Sequence, residues 1–121
     1  MIDHISLAVS NLDASVRFYE KALAPLGYAV LLSFPGVAGM GIAPKPDFWL
    51  GQKESADSGR HIAFCATSRA QVDAFYQAAM AAGAKDNGGP GLRPQYHPNY
   101  YGAFVLDPDG NNIEACCHGP A

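Results

Sequence analysis

Charge is scarce in this sequence, and neither sign of charge is concentrated in one segment. Only 16% of the residues are charged, and 8 basic residues stand against 11 acidic ones, which gives a formal net charge of −3 at pH 7. Nucleic acids and anionic membranes normally bind basic patches, so neither partner is expected. Long hydrophobic runs are also missing. The apolar stretch YAVLLSF at 28–34 is far shorter than the roughly 20 residues that a membrane-spanning helix needs.

Cysteine is scarce too, and its three copies do not form a pattern typical of disulfide frameworks. Cys116 and Cys117 are adjacent, so on a strand their side chains would point to opposite faces and could not bind one metal together. No secretion signal is expected, because Asp3 and His4 interrupt the apolar start that such a signal needs. The sequence therefore predicts a cytoplasmic protein with reduced, free thiols.

The sequence does contain an internal repeat. His4-Ile5 recurs 57 positions later as His61-Ile62, and in the same register Phe18-Tyr19 recurs as Phe75-Tyr76. Chance seldom places two such dipeptides in one register, so we interpret the chain as one domain that arose by duplication. The predicted bounds are 1–121 for the single domain, 1–53 for the first module and 60–118 for the second.

Both modules are predicted to have the element order βαβββ. A short apolar strand comes first, and a helix then begins after the N-cap residues Asn11 and Ser68 and ends at Gly27 and Gly83. Three further strands follow each helix. The predicted strands are 4–9, 28–34, 37–43 and 47–52, then 61–66, 84–87, 100–106 and 111–117. The fold class is therefore α+β, with a curved, mostly antiparallel sheet that forms a cup and one helix packed outside each module.

Strand parity is predicted to bring three polar side chains to one face of this sheet. Side chains alternate along a strand, and apolar residues such as Ile5 and Ile62 are needed under the helices. His4, His61 and Glu114 then point to the helix-free face from three different strands. Two neutral imidazoles and one carboxylate form a three-ligand set for a divalent metal and leave positions open for a substrate.

Each of these residues also has a simpler interpretation. A histidine at the start of a strand is usually a surface or hydrogen-bonded residue, and a glutamate on a last strand is usually solvated. The equivalent positions of His4 and His61 in the two modules favour a shared site. An unpaired carboxylate such as Glu114 in a half-enclosed cleft would also be costly without a cation nearby. From the residues alone, a metal site and a set of ordinary polar residues are both open interpretations.

Several motifs resemble the vicinal oxygen chelate superfamily, which includes glyoxalase I, extradiol dioxygenases, fosfomycin-resistance transferases and bleomycin-resistance proteins. The motifs are HISLAV at 4–9, Phe18-Tyr19, Gly27, HIAF at 61–64 and DPDGNNIE at 107–114, and they extend over nearly the whole chain. The resemblance implies two βαβββ modules that form a cup around one divalent metal. It places the metal ligands at His4, His61 and Glu114, and it implies a homodimer, often with a cup shared between subunits.

The resemblance also separates the candidate reactions. The position of the carboxylate that is both ligand and base in glyoxalase I falls on Trp49, which can be neither, so glyoxalase I chemistry is not expected. The fosfomycin-resistance transferases place a pocket-lining tryptophan there, but they need basic residues around a phosphonate, and the loop offers only Arg93. The metal stays open among Fe, Mn, Zn and Ni, and the reaction among dioxygenase, lyase and transferase types.

The remaining candidates are expected to line the cup. The predicted substrate-binding residues are Trp49, Tyr100, Phe104, Ser6 and Tyr96. His97, in the Pro-rich loop 88–100, is either a general acid or base or a solvated loop histidine. Cys65 and Cys116 are interpreted as small apolar wall residues.

These observations predict a metal-dependent enzyme that acts on a small, oxygen-chelating organic molecule and forms a homodimer. The alternative is a non-catalytic protein that sequesters a ligand in the manner of the bleomycin-resistance proteins. Neither function involves a nucleic acid or a membrane.

Overall fold

The computed structural model describes all 121 residues, which form two α-helices, one 3₁₀ turn and nine strands. The first half contains β1 (Ile5–Val9), α1 (Leu12–Leu23), the 3₁₀ turn (Ala24–Leu26), β2 (Ala29–Phe34), β3 (Val37–Ile42) and β4 (Lys45–Gln52). The second half contains β5 (His61–Cys65), α2 (Arg69–Ala81), β6 (Lys85–Asp86), β7 (Gly91–Leu92), β8 (Tyr101–Leu106) and β9 (Asn112–Cys117). The predicted α+β class is confirmed.

Each half builds its own sheet. The first sheet has four strands in the order β1-β4-β3-β2, and the second has five, with the order β5-β9-β8-β6 and with β7 also paired to β8. The β1–β4 and β5–β9 pairs are parallel, and the other pairs are antiparallel. In each half the first strand therefore lies beside the last, so their side chains are neighbours on the sheet surface.

The helices begin where the sequence predicts. Asn11 Oδ1 accepts a hydrogen bond from the N–H of Ala14 at 3.1 Å, and Ser68 Oγ accepts one from the N–H of Gln71 at 3.2 Å. These bonds satisfy N–H groups that have no partner in the first helical turn. The end of α1 differs from the prediction, because Pro25 lacks the N–H that would continue the α-helix, and the chain forms a 3₁₀ turn instead. Neither helix has the length and hydrophobicity required to cross a membrane.

One hydrophobic core of 19 buried residues continues from the first half into the second. Its centre is aromatic. The ring of Tyr19 on α1 packs edge-on against Phe48 of β4 at 5.0 Å, and Phe48 packs edge-on against Phe64 of β5 at 5.2 Å. Edge-to-face pairs at such distances are favourable beyond their buried area. The Phe48–Phe64 contact joins the two sheets, and α1 and α2 also pack against each other.

Two regions rich in Pro and Gly differ from the predicted strands. β4 begins at Lys45 instead of residue 47, because Pro46 pairs with Gly41 beside a bulge at Asp47 of β4, where the missing N–H of proline is tolerated. In the second half, β6 is only two residues long, and β7 lies inside the segment 88–100 that was predicted to be a loop. A two-residue strand is too short to produce a periodic pattern in the sequence.

The turn between β8 and β9 is held together by the buried carboxylate of Asp107. Its Oδ1 accepts the N–H groups of Asp109 and Asn111, both at 2.9 Å, and its Oδ2 accepts the hydroxyl of Tyr19 at 2.5 Å. The Asn111 side chain donates to the same carboxylate at 3.0 Å and accepts the N–H of Arg60 at 3.0 Å. The turn is thereby fixed both to α1 and to the residue that precedes β5.

The substitution Tyr19→Phe tests the contribution of this network. The change keeps the ring packing and removes one donor from a buried carboxylate, so we expect a loss of about 1–2 kcal/mol in the free energy of unfolding. Tyr96→Phe is the matched control, because Tyr96 is exposed and should change the stability by less than about 0.5 kcal/mol. Urea unfolding followed by circular dichroism measures both variants, and equal stability of Tyr19→Phe and wild type would contradict the assignment.

The Tyr19 hydroxyl should also make the stability of the protein depend on pH. Burial, followed by the charge of Asp107 and the hydrogen bond to it, raises the pKa of Tyr19 well above its usual value of 10.0. A pKa raised by folding gives stability that is complete below the unfolded-state pKa and is lost at higher pH. Above about pH 10, the unfolding free energy of the wild type should therefore fall more steeply than that of Tyr19→Phe, by up to about 1.4 kcal/mol per pH unit. Urea titrations across this range measure the two slopes, which must differ.

Candidate functional site

Glu114 lies in the middle of the five-stranded sheet, and only 1% of its surface is exposed. β9 runs between β5 and β8, where Glu114 is paired with Ala63 on one side and Phe104 on the other. The Nε2 atom of His61 lies 2.7 Å from Glu114 Oε1, and the hydroxyl of Tyr100 donates to Oε2. A buried carboxylate is costly without such partners, so these contacts make Glu114 the polar centre of this sheet face.

His61 is the accessible member of this group. Its side chain is 54% exposed, whereas the side chain of Glu114 is 2% exposed. Its register partner on β9 is Asn112, so the imidazole leans along the strand to reach Glu114. The centre of the Phe104 ring lies 6.2 Å from that of the imidazole, at a tilt of 41°. A ligand can therefore approach the pair from the exposed side of the imidazole.

Tyr100 reaches Glu114 from the end of the loop that precedes β8. Its N–H donates to the carbonyl of His97 at 3.1 Å, and its own carbonyl accepts the N–H of Arg93 at 2.7 Å. Gly102 leaves room for the contact, because a Cβ atom there would lie 3.2 Å from the Tyr100 ring and 3.3 Å from Glu114 Oε2. Burial, and then the hydrogen bond to Glu114, raises the pKa of Tyr100, so its hydroxyl is a protonated donor at neutral pH.

His4 has different partners within the chain. Its Nδ1 lies 2.7 Å from Asp3 Oδ1, and the other oxygen of Asp3 lies 2.7 Å from the ammonium group of Lys45. The side chain of His4 is 56% exposed. The first histidine of the predicted ligand set therefore belongs to an exposed charged group next to β1.

A cavity of about 620 Å³ connects the two histidines but does not bring them into one group. His4 and His61 both line it, together with mainly apolar residues such as Ile2, Ile42 and Ile62. No three His, Cys, Asp or Glu side chains of the chain are grouped so that they could hold a metal ion. The single chain thus brings together two members of the predicted set, the second histidine and the glutamate, and leaves His4 outside.

The predicted wall residues form two groups, one on each sheet. On the four-stranded sheet, Trp49 of β4 is the register partner of Ser6 on β1. The indole lies across Gly39, where a Cβ atom would come within 2.7 Å of the ring. The second group, on the five-stranded sheet and its preceding loop, comprises Tyr96, Tyr100 and Phe104. Tyr100 and Phe104 are next to Glu114 and Tyr96 packs against Tyr100, whereas Trp49 and Ser6 form a separate surface.

His97 is hydrogen-bonded and does not project alone from its loop. Its Nε2 lies 2.6 Å from Nδ1 of His118, and the two rings stack at 4.9 Å. Tyr100 packs edge-on against both imidazoles. His118 is not among the predicted site residues, although alternation from Glu114 through Cys116 places position 118 on the same face. That alternation is the signal in the sequence that points to His118.

The two cysteines of this face are register partners. Cys65 of β5 pairs with Cys116 of β9, and the first is exposed whereas the second is buried. Burial raises the pKa of the Cys116 thiol. A protonated thiol is a poor nucleophile and a poor metal ligand, so Cys116 acts as a small apolar residue beside Glu114.

The donor atoms of His61 and Glu114 fit two coordination positions of a divalent cation. Imidazole nitrogen and carboxylate oxygen are ligands for zinc, iron and manganese. Two such ligands, each about 2.1 Å from one metal, are about 3.4 Å apart in tetrahedral geometry and about 3 Å apart at a right angle. The observed separation of 2.7 Å is that of a hydrogen bond, so the two atoms would move slightly apart to bind one ion. A third protein ligand has to come from outside the pair.

Comparisons with known proteins show the family of the chain. The family model of the Glyoxalase/Bleomycin resistance protein/Dioxygenase superfamily matches residues 1–115. The metallothiol transferase FosB of Shouchella clausii is 32% identical over 115 residues, which cover 93% of this chain and 77% of that protein.

Solved structures show the same fold. A glyoxalase/bleomycin resistance protein from Albidiferax ferrireducens matches with a TM-score of 0.85 and 29% identity, over 94% of this chain and 96% of that one. A glyoxalase/bleomycin resistance protein/dioxygenase family enzyme from Burkholderia phytofirmans matches with a TM-score of 0.76 and 19% identity, over 98% of both chains. The second likeness concerns the fold alone.

Proposed function

Because the chain belongs to the glyoxalase/bleomycin resistance protein/dioxygenase superfamily, we propose that it is a metal-dependent enzyme for a small, oxygen-bearing organic substrate. The proposed ligands are His4, His61 and Glu114, and the proposed ion is Fe, Mn, Zn or Ni. The observation that carries the proposal is the 2.7 Å contact between His61 Nε2 and Glu114 Oε1. It holds a buried carboxylate beside an imidazole that is half-exposed.

A transferase type of reaction is the class that we favour. The FosB relative, at 32% identity, is a metallothiol transferase. The parallel pairs place Trp49 beside Ser6 and Glu114 beside Ala63, so Trp49 has in the first half the position that Glu114 has in the second. A tryptophan cannot be the base that proton abstraction in glyoxalase I requires, and this argues against that reaction.

The residues of the proposed site have distinct roles. A bound divalent ion would supply Lewis-acid polarisation of the substrate oxygens. His97, which is hydrogen-bonded to His118 at 2.6 Å, is the proposed proton donor or acceptor, because each nitrogen of an imidazole can either donate or accept a proton. Trp49 and Phe104 are the proposed apolar wall. The guanidinium group of Arg93 lies 5.3 Å over the Phe104 ring and offers one cation for an anionic group of the substrate.

We further propose that His4 reaches the site from a second copy of the chain. Within one chain no three side chains form a group that could hold a metal ion. Ile2 and Ile42, which are 80% and 58% exposed, lie with His4 around the cavity, and exposed apolar surface of this kind is covered when two copies associate. The proposed homodimer has two cups, each with His4 of one copy and with His61 and Glu114 of the other.

Ligand sequestration without a metal is the second candidate function, and the cavity favours it. A volume of about 620 Å³ lies within the range of roughly 300–1,000 Å³ that is typical of small-molecule sites. Most of the lining residues are hydrophobic. The metal content of the protein distinguishes the two functions.

We expect the untagged protein to bind one divalent ion per chain and the variants His61→Ala and Glu114→Gln to lose it. The dissociation constant should rise more than about 100-fold, because even residues that only support a ligand typically contribute 10- to 100-fold. Glu54→Gln, at an exposed carboxylate, is the matched control and should bind like wild type. Elemental analysis after dialysis and calorimetric titration with Zn²⁺ and Mn²⁺ measure the effect, and a metal-free wild type that cannot be loaded would favour ligand sequestration.

Co-expression of two defective chains tests the shared cup. His4→Ala and Glu114→Gln each remove one ligand from every cup, so neither homodimer should bind metal. In the mixed dimer, one cup combines the intact His61 and Glu114 of the first chain with the intact His4 of the second. The mixed dimer is purified through two different removable tags, one on each chain. We expect it to bind one ion per dimer. A mixed dimer without metal would place each cup within one chain, and a monomer in light scattering at micromolar concentration would contradict the assembly.

A further inference from the structure

Tyr100 and His61 hold different oxygens of the same carboxylate. The Tyr100 hydroxyl donates to Glu114 Oε2, and His61 Nε2 lies 2.7 Å from Oε1. The carboxylate is 1% exposed, so a group from solvent reaches it only on the side of the half-exposed His61. The two oxygens of Glu114 are therefore distinguished by their partners.

The partner of Oε2 is fixed, whereas the partner of Oε1 is free to exchange. The Tyr100 ring packs edge-on against Tyr96, His97 and His118 at 4.9, 5.5 and 5.1 Å. Its backbone is hydrogen-bonded on both sides, to His97 and to Arg93. On the opposite oxygen, the His61 side chain is 54% exposed and has room to turn. A cation that approaches His61 and Glu114 can therefore bind Oε1, because Oε2 is already hydrogen-bonded to Tyr100.

The residue opposite Glu114 offers no replacement for the Tyr100 hydroxyl. The residue directly opposite Glu114 on β8 is Phe104, which has no hydrogen-bonding group. Gly102, also on β8, leaves space between the two groups, since a Cβ atom there would lie 3.3 Å from Glu114 Oε2 and crowd it. Tyr100 therefore reaches Oε2 across a gap that a side chain at position 102 would narrow.

We infer that Tyr100 is the positioning residue of Glu114: its hydroxyl holds Oε2, presents Oε1 as a monodentate metal ligand and thereby sets the metal affinity of the site. The inference rests on the proposed function, because it assumes that Glu114 binds a divalent ion. A hydrogen bond to the second oxygen of a ligating carboxylate restricts its orientation and favours one coordination mode. Tyr100 is not a catalytic residue in this scheme, since it acts through Glu114.

The substitution Tyr100→Phe tests this role, because it keeps the ring and removes only the hydroxyl. We expect the dissociation constant for Mn²⁺ and for Zn²⁺ to rise about 10- to 100-fold, while circular dichroism shows an unchanged fold. Tyr76→Phe is the matched control, since the Tyr76 hydroxyl also donates to a carboxylate, that of Asp86 at 3.0 Å, but has no role in the site, and its affinity should equal that of wild type.

A spectroscopic readout separates positioning from a general structural effect. In infrared difference spectra between the metal-free and the Zn²⁺-loaded protein, the separation of the two carboxylate stretching bands reports whether Glu114 binds through one oxygen or two. The bands of Glu114 are identified by their loss in Glu114→Gln. In the wild type we expect the band separation of a monodentate carboxylate. In Tyr100→Phe we expect the separation to shift towards that of a bidentate carboxylate. Gly102→Ala, which crowds Tyr100 against Glu114, is the second variant and should weaken Zn²⁺ binding by a smaller factor.

The outcomes separate the inference from the proposed function. Wild-type protein that binds neither ion would overturn the proposed metal site and the inference with it. Wild-type protein that binds Zn²⁺, together with Tyr100→Phe that binds it equally well and with the same carboxylate bands, would overturn the role of Tyr100 alone.

Discussion

The position of the candidate site depends on the buried carboxylate of Asp107. It closes the turn after β8, and it is bonded to Tyr19 on α1 and to Asn111 at the start of the last strand. This turn fixes where β9 begins and hence which side of the sheet each of its residues faces. A slip of one residue would turn Ile113 out of the core and Glu114 into it. The turn between β8 and β9 therefore determines that Glu114 lies on the helix-free face of the sheet.

Asp107 and Glu114 are both buried carboxylates of the second half, but their hydrogen-bond partners give them different roles. Asp107 accepts bonds from two backbone N–H groups, the Tyr19 hydroxyl and the Asn111 side chain. All these donors are held inside the fold, so this group has no capacity left for a ligand. Glu114 accepts only from Tyr100 and from the half-exposed His61. Because one of these partners is exchangeable, Glu114 is the acid that can bind a cation.

Sequence patterns predicted those features of the fold and the site that depend on one strand or one turn. Alternation on two adjacent strands was enough to place His61 and Glu114 on one face, and Pro25 alone would have predicted the early end of α1. The His97–His118 contact was predictable only on one side. Alternation from Glu114 through Cys116 gives the face of His118, whereas the position of His97 depends on the conformation of the loop 88–100, which no periodic pattern determines. The surroundings of His4 were not predictable either, since they depend on how the two sheets pack and on how many copies of the chain assemble.

The two halves use one strand arrangement for two different surfaces. β4 lies beside β1 as β9 lies beside β5, and the corresponding positions carry Trp49 and Glu114. In each half a glycine on a neighbouring strand makes room: Gly39 for the indole, and Gly102 for the approach of Tyr100 to the carboxylate. One half thus presents an apolar surface and the other a negative charge. In the proposed cup, one surface of each kind is required, since the carboxylate binds the cation and the indole covers the substrate. A second carboxylate at position 49 would add charge where the proposed substrate needs an apolar contact.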